Sequence, residues 1–464
     1  MAKEEPQLLN VQKAAAFLGI NPSTIRQWAT SRKLKGVKVG SRGDWRFTRE
    51  ELSKMIKKHT SYKSTTPPRL NRDLSEKTQS TVVYTNIPES KKAGKDIGEQ
   101  ILSVFDTMTP DVVILFVSSK YNYSELLGAV KKYARPKIMV GCSSAGEFIT
   151  KTKGEGSVSA IAIRSDDMQF SVGIGKNIHN NAEQAAKDAI ASFQGLKDHT
   201  YPYRSALVLV DALAGHTDTL IEAMNNLTAG TYQFFGGGAG DDAKFSKTHV
   251  FFDTEAITDA VVTLEMLSKK PFGIGVAHGW ETASKPMRVT ESDGMRLISL
   301  NAMSAVEVFK EHAKATGQTF DLSDPVPFFL HNVIGIKTTN GYKLRVPLAI
   351  NKDGSINCAS DIPTGAIVSI MKTTAASAAL AAKEATEDAL AQITGNEKNV
   401  AIVFDCVATR LRTGREFATE LDAVAEELGG TQYVGCNTYG QIARVDGQFN
   451  GFHNCTAVVC IIPQ

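Results

Sequence analysis

Internal repetition constrains this 464-residue chain more than any other feature. From about residue 81 onward, one order of elements occurs three times. It runs through an Ala- or Gly-containing amphipathic helix, a buried strand, a second helix, a second strand and a Gly-rich turn. The first copy places helices at 93–105 and 123–133, strands at 112–117 and 138–140, and the turn at 141–147. The second places helices at 182–193 and 217–227, strands at 207–210 and 234–235, and the turn at 236–242. The third places helices at 381–393 and 415–428, strands at 401–404 and 433–434, and the turn at 435–441. Short β-rich runs alternating with helices predict α/β layers. Right-handed crossovers make the strands around each helix parallel. Runs trailing the turns (157–163 with 169–174, 260–264 with 272–277, and 452–462) predict antiparallel hairpins, so the sheets are expected to be mixed. Residues 327–372 add strands, and the junction between two body halves is placed near 281–301.

Charge separates a head from this body. Residues 1–80 hold 17 Lys and Arg against 7 Asp and Glu, a net +10; residues 81–464 hold 35 against 42, a net −7. A basic head on an acidic body points to an anionic polymer as the partner of the head. Residues 61–80 are polar and contain Pro67 and Pro68, which reads as a linker; if flexible, its ends sit roughly 25 Å apart. No apolar run approaches the roughly 18–20 residues that cross a bilayer, and Met1-Ala-Lys-Glu-Glu5 lacks an apolar signal core. Six cysteines without a C-x-x-C fit a reducing compartment. The expectation is a cytoplasmic chain with no membrane partner and no resident metal.

In the head, residues 10–18 have helical apolar spacing, which Gly19 ends. Asn21 is a good N-cap and Pro22 suits the first helical position. A second helix over 22–31 turns Ile25, Trp28 and Ala29 inward and Ser23, Thr24, Arg26 and Gln27 outward. Val37–Val39 and Trp45–Phe47 alternate with period two around a Gly-containing tip. Thr48 to Glu51 fits a capping box. Two helices with a tight turn can read a major groove, and Arg26 and Gln27 can bond base edges bidentately. Arg32, Lys33, Lys38, Arg42 and Arg46 suit phosphates or a minor groove.

The segment from Leu9 to Trp28, with Val37–Val39 and Trp45 to Leu52, resembles the excisionase-like branch of the MerR superfamily of winged helix-turn-helix domains. That resemblance implies DNA binding through the second helix and the wing; Asp44 at the wing tip weakens a phosphate contact there. The predicted fold class is a small α winged helix-turn-helix head plus an α/β body with internally repeated mixed sheets. Its domains are expected at 1–60, 81–285 and 286–464.

Gly-rich turns at the carboxyl ends of strands expose backbone N–H groups and let a ligand approach. The candidate pocket walls are Gly141, Cys142, Ser143, Ser144, Gly146 and Glu147; Gly237, Gly238, Asp241 and Asp242; and Gly435, Cys436, Asn437, Tyr439 and Gln441. Arg410 and Arg412 suit a carboxylate ligand. The turns lack the lysine of a P-loop, which disfavours a nucleoside triphosphate. Cys142 and Cys436 occupy equivalent positions, as nucleophiles or as small buried hydrophobes. Asp241 and Asp242 suit a ligand amine or a metal, or serve as capping carboxylates.

Residues 140–148, 235–242 and 278–280 resemble the N-terminal part of the FIST sensory module. Cys406, Arg410, residues 435–441 and 452–456, including His453 and Asn454, resemble its C-terminal part. The resemblance implies signal input by a small ligand, amino acids among those proposed, to an attached output domain. Gln441 stands where the family commonly has Glu. Some family members bind haem and respond to nitric oxide; His278, His331 and His453 are the candidate ligands here, and there is no C-x-x-C-H. The expectation is a one-component, homodimeric transcription regulator without catalytic residues, binding double-stranded DNA and a small molecule. A haem gas sensor and a small-molecule enzyme using Cys142 or the Asp241–Asp242 pair are the alternatives.

Overall fold

The computed structural model describes residues 9–18, 25, 29–30, 34–39, 44–48 and 51–52 of the head, and 78–464 except 107, 151, 340 and 445–450. The chain divides into two compact units, Met1–Leu74 and Ser75–Gln464.

In the first unit, helix Val11–Leu18 begins where the Asn10 Oδ1 accepts the Lys13 N–H at 2.9 Å. Strand Asp44–Phe47 lies between Leu9–Asn10 and Val37–Val39, antiparallel to both. The expected strand pair at 37–39 and 45–47 is present. Leu9, Ala14, Ala15, Ile25, Ala29, Leu34, Phe47 and Leu52 form the core, with Ile25 and Ala29 inward as their spacing predicts. Thr48 Oγ1 accepts the Glu51 N–H at 3.2 Å, the bond a helix N-cap makes.

In the second unit, each repeat supplies an edge strand, a first helix, an inner strand, a second helix, a corner strand and a return strand. In the first repeat these are Thr78–Thr85, Ser90–Phe105, Val112–Ser118, Tyr123–Ala134, Ile138–Ser144 and Val158–Ser165. In the second they are Met168–Lys176, Ala182–Ile190, Tyr203–Val210, Thr217–Leu227, Gln233–Gly238 and Ala260–Ser268. In the third they are Gly273–Ala277, Ala375–Gln392, Lys398–Cys406, Phe417–Leu428, Tyr433–Thr438 and Ala457–Pro463. All three sheets share one order: edge, return, inner, corner. Inner and corner strands are parallel, and the return strand is antiparallel to the inner strand.

The trailing runs do not form the expected hairpins. Val158–Ser165 closes the first sheet while Met168–Lys176 opens the second; Ala260–Ser268 closes the second while Gly273–Ala277 opens the third. Period-two apolarity establishes that a run is a strand; it does not choose the partner.

Each repeat also lends a pair of short strands to another repeat's sheet. Glu147–Ile149 and Thr152–Gly154, after the first corner, extend the third sheet. Val250–Phe252 and Glu255–Ile257, after the second corner, extend the first. Gln441–Arg444 and Gly451–His453, after the third corner, extend the second. The exchange is cyclic, so every corner strand has its outer edge covered by another repeat. Residues 281–372 fold into a nine-stranded sheet inserted between the edge strand and first helix of the third repeat.

Alternation divides each inner strand between two cores. Val112, Ile114, Phe116, Leu207, Leu209, Ile402 and Phe404 meet in one central cluster drawn from all three sheets. Val113, Leu115 and Val117, their counterparts Ala206, Val208 and Val210, and then Ala401 and Val403, face the helices of their own repeats. Phe404 joins the sheets, with its ring centroid 5.4 Å from that of Phe116 and 6.4 Å from that of Phe235.

Candidate functional site

The corners are built alike. Gly141, Gly236 and Gly435 pair with Leu115, Val208 and Val403 on the inner strands. A Cβ there would stand 2.2, 2.0 and 2.1 Å from those residues' carbonyl oxygens, so the close approach requires glycine in each copy.

The three corners then bond to one another. Ala145 N–H donates to the Asn437 carbonyl at 2.9 Å, and Asn437 N–H to the Gly146 carbonyl at 2.8 Å. Gly240 N–H donates to Ser143 at 2.9 Å and Asp242 N–H to Ser144 at 3.1 Å. Tyr439 N–H donates to Gly238, and Gly238 N–H to Gly440, both at 2.9 Å. The turns therefore seal against each other instead of enclosing a chamber, and the clefts open beside their junction. Cys142 and Cys436 belong to the central core. Burial, then the neighbouring Cys142, pushes the Cys436 thiol well above its ordinary range. Ser143 is tied to His249, whose N–H donates to its Oγ at 2.9 Å. A Cβ at Gly237 would meet the Thr438 side chain at 2.9 Å.

The polar residues after the corners hold the lent strands. Glu147 accepts from Ser144 Oγ at 2.6 Å and from the Ser157 N–H and Oγ at 2.9 and 2.7 Å. Gln441 repeats this set: its Nε2 donates to Thr438 Oγ1 at 2.9 Å, and its Oε1 accepts from the Thr456 N–H and Oγ1 at 3.2 and 3.1 Å. The amide thus fills the place of the carboxylate without its charge. Burial pushes the Glu147 carboxyl up to about 7, against the opposing pull of its serine hydrogen bonds.

Both oxygens of Asp241 and the Oδ2 of Asp242 are engaged. Asp241 accepts from the Phe245, Ser246 and Lys247 N–H groups, each at 2.8 Å, and from the Tyr439 hydroxyl. Burial raises its pKa, and these bonds, Tyr439 first, outweigh that and hold it below the ordinary range. Asp242 accepts from Ser118 Oγ and Ser119 N–H at 2.8 Å and Ser119 Oγ at 2.6 Å. This pair staples the second corner to the other two.

Arg410, Asn437 and Glu147 come together in a cleft of about 510 Å³, with Phe148 and Phe417 as apolar wall and Lys153, Glu155 and Arg415 around them. The Arg410 Nη1 lies 2.6 Å from Glu155, whose side chain is 76% exposed while that of Arg410 is 11% exposed. Among the described residues, neither Arg410 Nε nor Asn437 Nδ2 has a hydrogen-bond partner, although both are buried. Gly146, at φ +139°, leaves the space: a Cβ there would stand 2.7 Å from Asn437 Oδ1 and 3.3 Å from Arg410 Nη1. Glu155, Lys153 and Phe148 were not singled out from sequence. They reach the cleft only because the first repeat lends its strand pair to the third sheet.

Arg412 lies outside this cleft, its guanidinium carbon 5.6 Å from the centre of the Trp280 ring. Of the three candidate histidines, His278 and His453 are near enough to disfavour each other's protonation. His278 bonds the Tyr342 carbonyl through Nε2 at 3.0 Å. His453 is buried and pushed down to about 3 by burial, then by Lys343 and Arg345. His331 is exposed. None lines the 510 Å³ cleft or the two smaller ones beside it. Among the described residues no group of three or more His, Cys, Asp or Glu side chains is arranged to hold a metal.

In the head, Lys38 Nζ sits 5.2 Å from the centre of the Trp45 ring, and Arg46 Nη1 donates to the Trp45 carbonyl at 3.2 Å. Ser23, Thr24, Arg26, Gln27, Arg32, Lys33 and Arg42 lie outside the described residues.

A small basic module precedes the three-repeat α/β body. The family models agree: a helix-turn-helix domain matches residues 8–60, the FIST N domain 111–303 and the FIST C domain 305–444. The chain carries a helix-turn-helix domain followed by FIST N and FIST C domains. An uncharacterized protein of Methanocaldococcus jannaschii, MJ1623, is 22% identical over 312 residues, which is 63% of this chain and 59% of that protein. The chain thus spans under two thirds of that relative's length. Among solved structures, a cyanuric acid hydrolase described as an innovation by structural concatenation is 10% identical, covering 83% of this chain and all of that one at a TM-score of 0.29. PurL of Thermotoga maritima complexed with FGAR is 9% identical, covering 83% and 72%, at a TM-score of 0.21. No helix among the described residues is long and apolar enough to cross a membrane.

Proposed function

We propose that this chain is a one-component transcription regulator whose winged, MerR-like head binds double-stranded DNA under the control of a small carboxylate ligand held by the body. The ligand class is an α-amino acid, and the chain senses it without turning it over. The observation that carries this reading is the pair of buried, unused donors, Arg410 Nε and Asn437 Nδ2, in the wall of the 510 Å³ cleft. Buried donors without acceptors are costly, and a guanidinium edge beside an amide suits a carboxylate. Glu155, now paired with Arg410, is the carboxylate that would receive the ligand's ammonium in this reading.

The helix-turn-helix domain and the FIST domains support the two halves of this reading. One small head offers limited contact, so DNA binding as a homodimer on paired half-sites is part of the proposal. Ligand must favour one of two body conformations to change DNA binding. Calorimetric titration of the full chain with the standard amino acids tests the ligand class. One or a few should bind saturably, and Arg410→Ala should weaken them roughly 10- to 150-fold, the loss expected for charged hydrogen bonds. Absence of binding by every amino acid, or unchanged affinity in the variant, contradicts it.

A further inference from the structure

A second hollow of about 390 Å³ shares Leu411 of helix Val407–Thr413 with the first and is otherwise lined by different residues. Its chemistry is the reverse of the first. The walls are Leu213 and Phe245 from the second repeat, Leu330, Val346 and Leu348 from the insert, and Val407 from the helix. Among the described residues no Lys, Arg, Asp, Glu or His side chain lines it. The size falls within the roughly 300–1,000 Å³ of small-molecule pockets.

One polar atom in this wall is unspent. Asn454 lines the hollow and is 2% exposed. Its Nδ2 donates to the His453 carbonyl at 3.3 Å, while its Oδ1 has no partner among the described residues. The other polar side chain with a hydroxyl here, Tyr439, is already committed to Asp241. Cys406 completes the floor. An apolar chamber with one free, buried acceptor selects an uncharged molecule with an apolar body and a single N–H or O–H donor. A charged ligand would lose its hydration there without a counter-ion.

We infer that this hollow is a second ligand site, for a small uncharged aromatic or aliphatic molecule that donates one hydrogen bond to Asn454 Oδ1. It is separate from the cationic cleft, and it joins the insert to the junction of the second and third repeats. Indole and N-methylindole test it on the unaltered full chain, because they share an apolar body and differ in the donor. Calorimetry or ligand-observed NMR should show saturable one-to-one binding of indole, with N-methylindole roughly 5- to 30-fold weaker. Leu348→Trp, which fills the hollow from the insert side, should abolish both. Where that variant fails to fold by circular dichroism, protection of Cys406 from iodoacetamide by indole in the unaltered chain, read by peptide mass spectrometry, replaces it. Indole that does not bind, N-methylindole that binds as tightly as indole, or a Cys406 labelling rate that indole leaves unchanged would overturn the assignment.

Discussion

Replacing Glu147 by Gln should stabilise the body above neutral pH and leave it nearly unaffected in acid. Glu147 is wholly buried, and burial carries its carboxyl from 4.5 to about 7. The gap corresponds to about 3 kcal/mol against the ionised form. A raised pKa in the folded chain means that the folded state holds the proton more tightly than the unfolded one. The stability from that proton is therefore full below about pH 4.5 and is lost as pH rises to about 7. A glutamine has no such dependence, and the third repeat already contains the replacement: Gln441 bonds Thr438 and Thr456 at the equivalent positions, donating to Thr438 where Glu147 accepts from Ser144. For a body of this size, about 3 kcal/mol corresponds to roughly 4 °C in Tm. Thermal unfolding of both proteins at pH 5, 6, 7 and 8 should show the variant's advantage growing between pH 5 and 7 and then levelling. A difference between the two proteins that is flat from pH 5 to 8 would refute the reasoning.

Three further outcomes follow from named contacts. Gly435→Ala should destabilise the body by several kcal/mol, because its Cβ would meet the Val403 carbonyl at 2.1 Å and the Phe148 ring at 2.3 Å; chemical denaturation reads this. Phe404→Ala should cost roughly 3–5 kcal/mol by opening a cavity where the three sheets meet, seen as a lower denaturation midpoint. Lys38→Ala together with Arg46→Ala should weaken DNA binding similarly across sequences and flatten the slope of log affinity against log salt by up to about 2, measured by fluorescence anisotropy.

The repeat was legible because its helices and inner strands must each bury a periodic face, and the structure places them within a few residues of the pattern. The corner glycines were legible as a repeated feature but not in their conformation: expected in turns, Gly141, Gly236 and Gly435 lie within the corner strands, each facing a carbonyl oxygen that excludes a Cβ. What the corners enclose was not legible. A Gly-rich turn offers its N–H groups equally to a ligand or to another turn, and here Ala145, Gly240 and Tyr439 spend theirs on neighbouring corners. The cyclic lending of strands left no local signal either, since Glu147–Ile149 has the same alternation whichever sheet receives it. Arg410 was identified by residue type and Asn437 by its place in the third Gly-rich segment. Their shared cleft depends on Glu155 and Phe148 arriving from the first repeat, about 260–290 residues earlier in the chain.

The claim that cleft occupancy governs the head is tested most directly by DNA affinity of the full chain with and without the amino acid that calorimetry identifies. The account predicts that saturating ligand changes that affinity at least fivefold, that Arg410→Ala abolishes the change, and that the variant's affinity without ligand matches the parent's. A ligand that binds at Arg410 and leaves DNA affinity unaltered would contradict it.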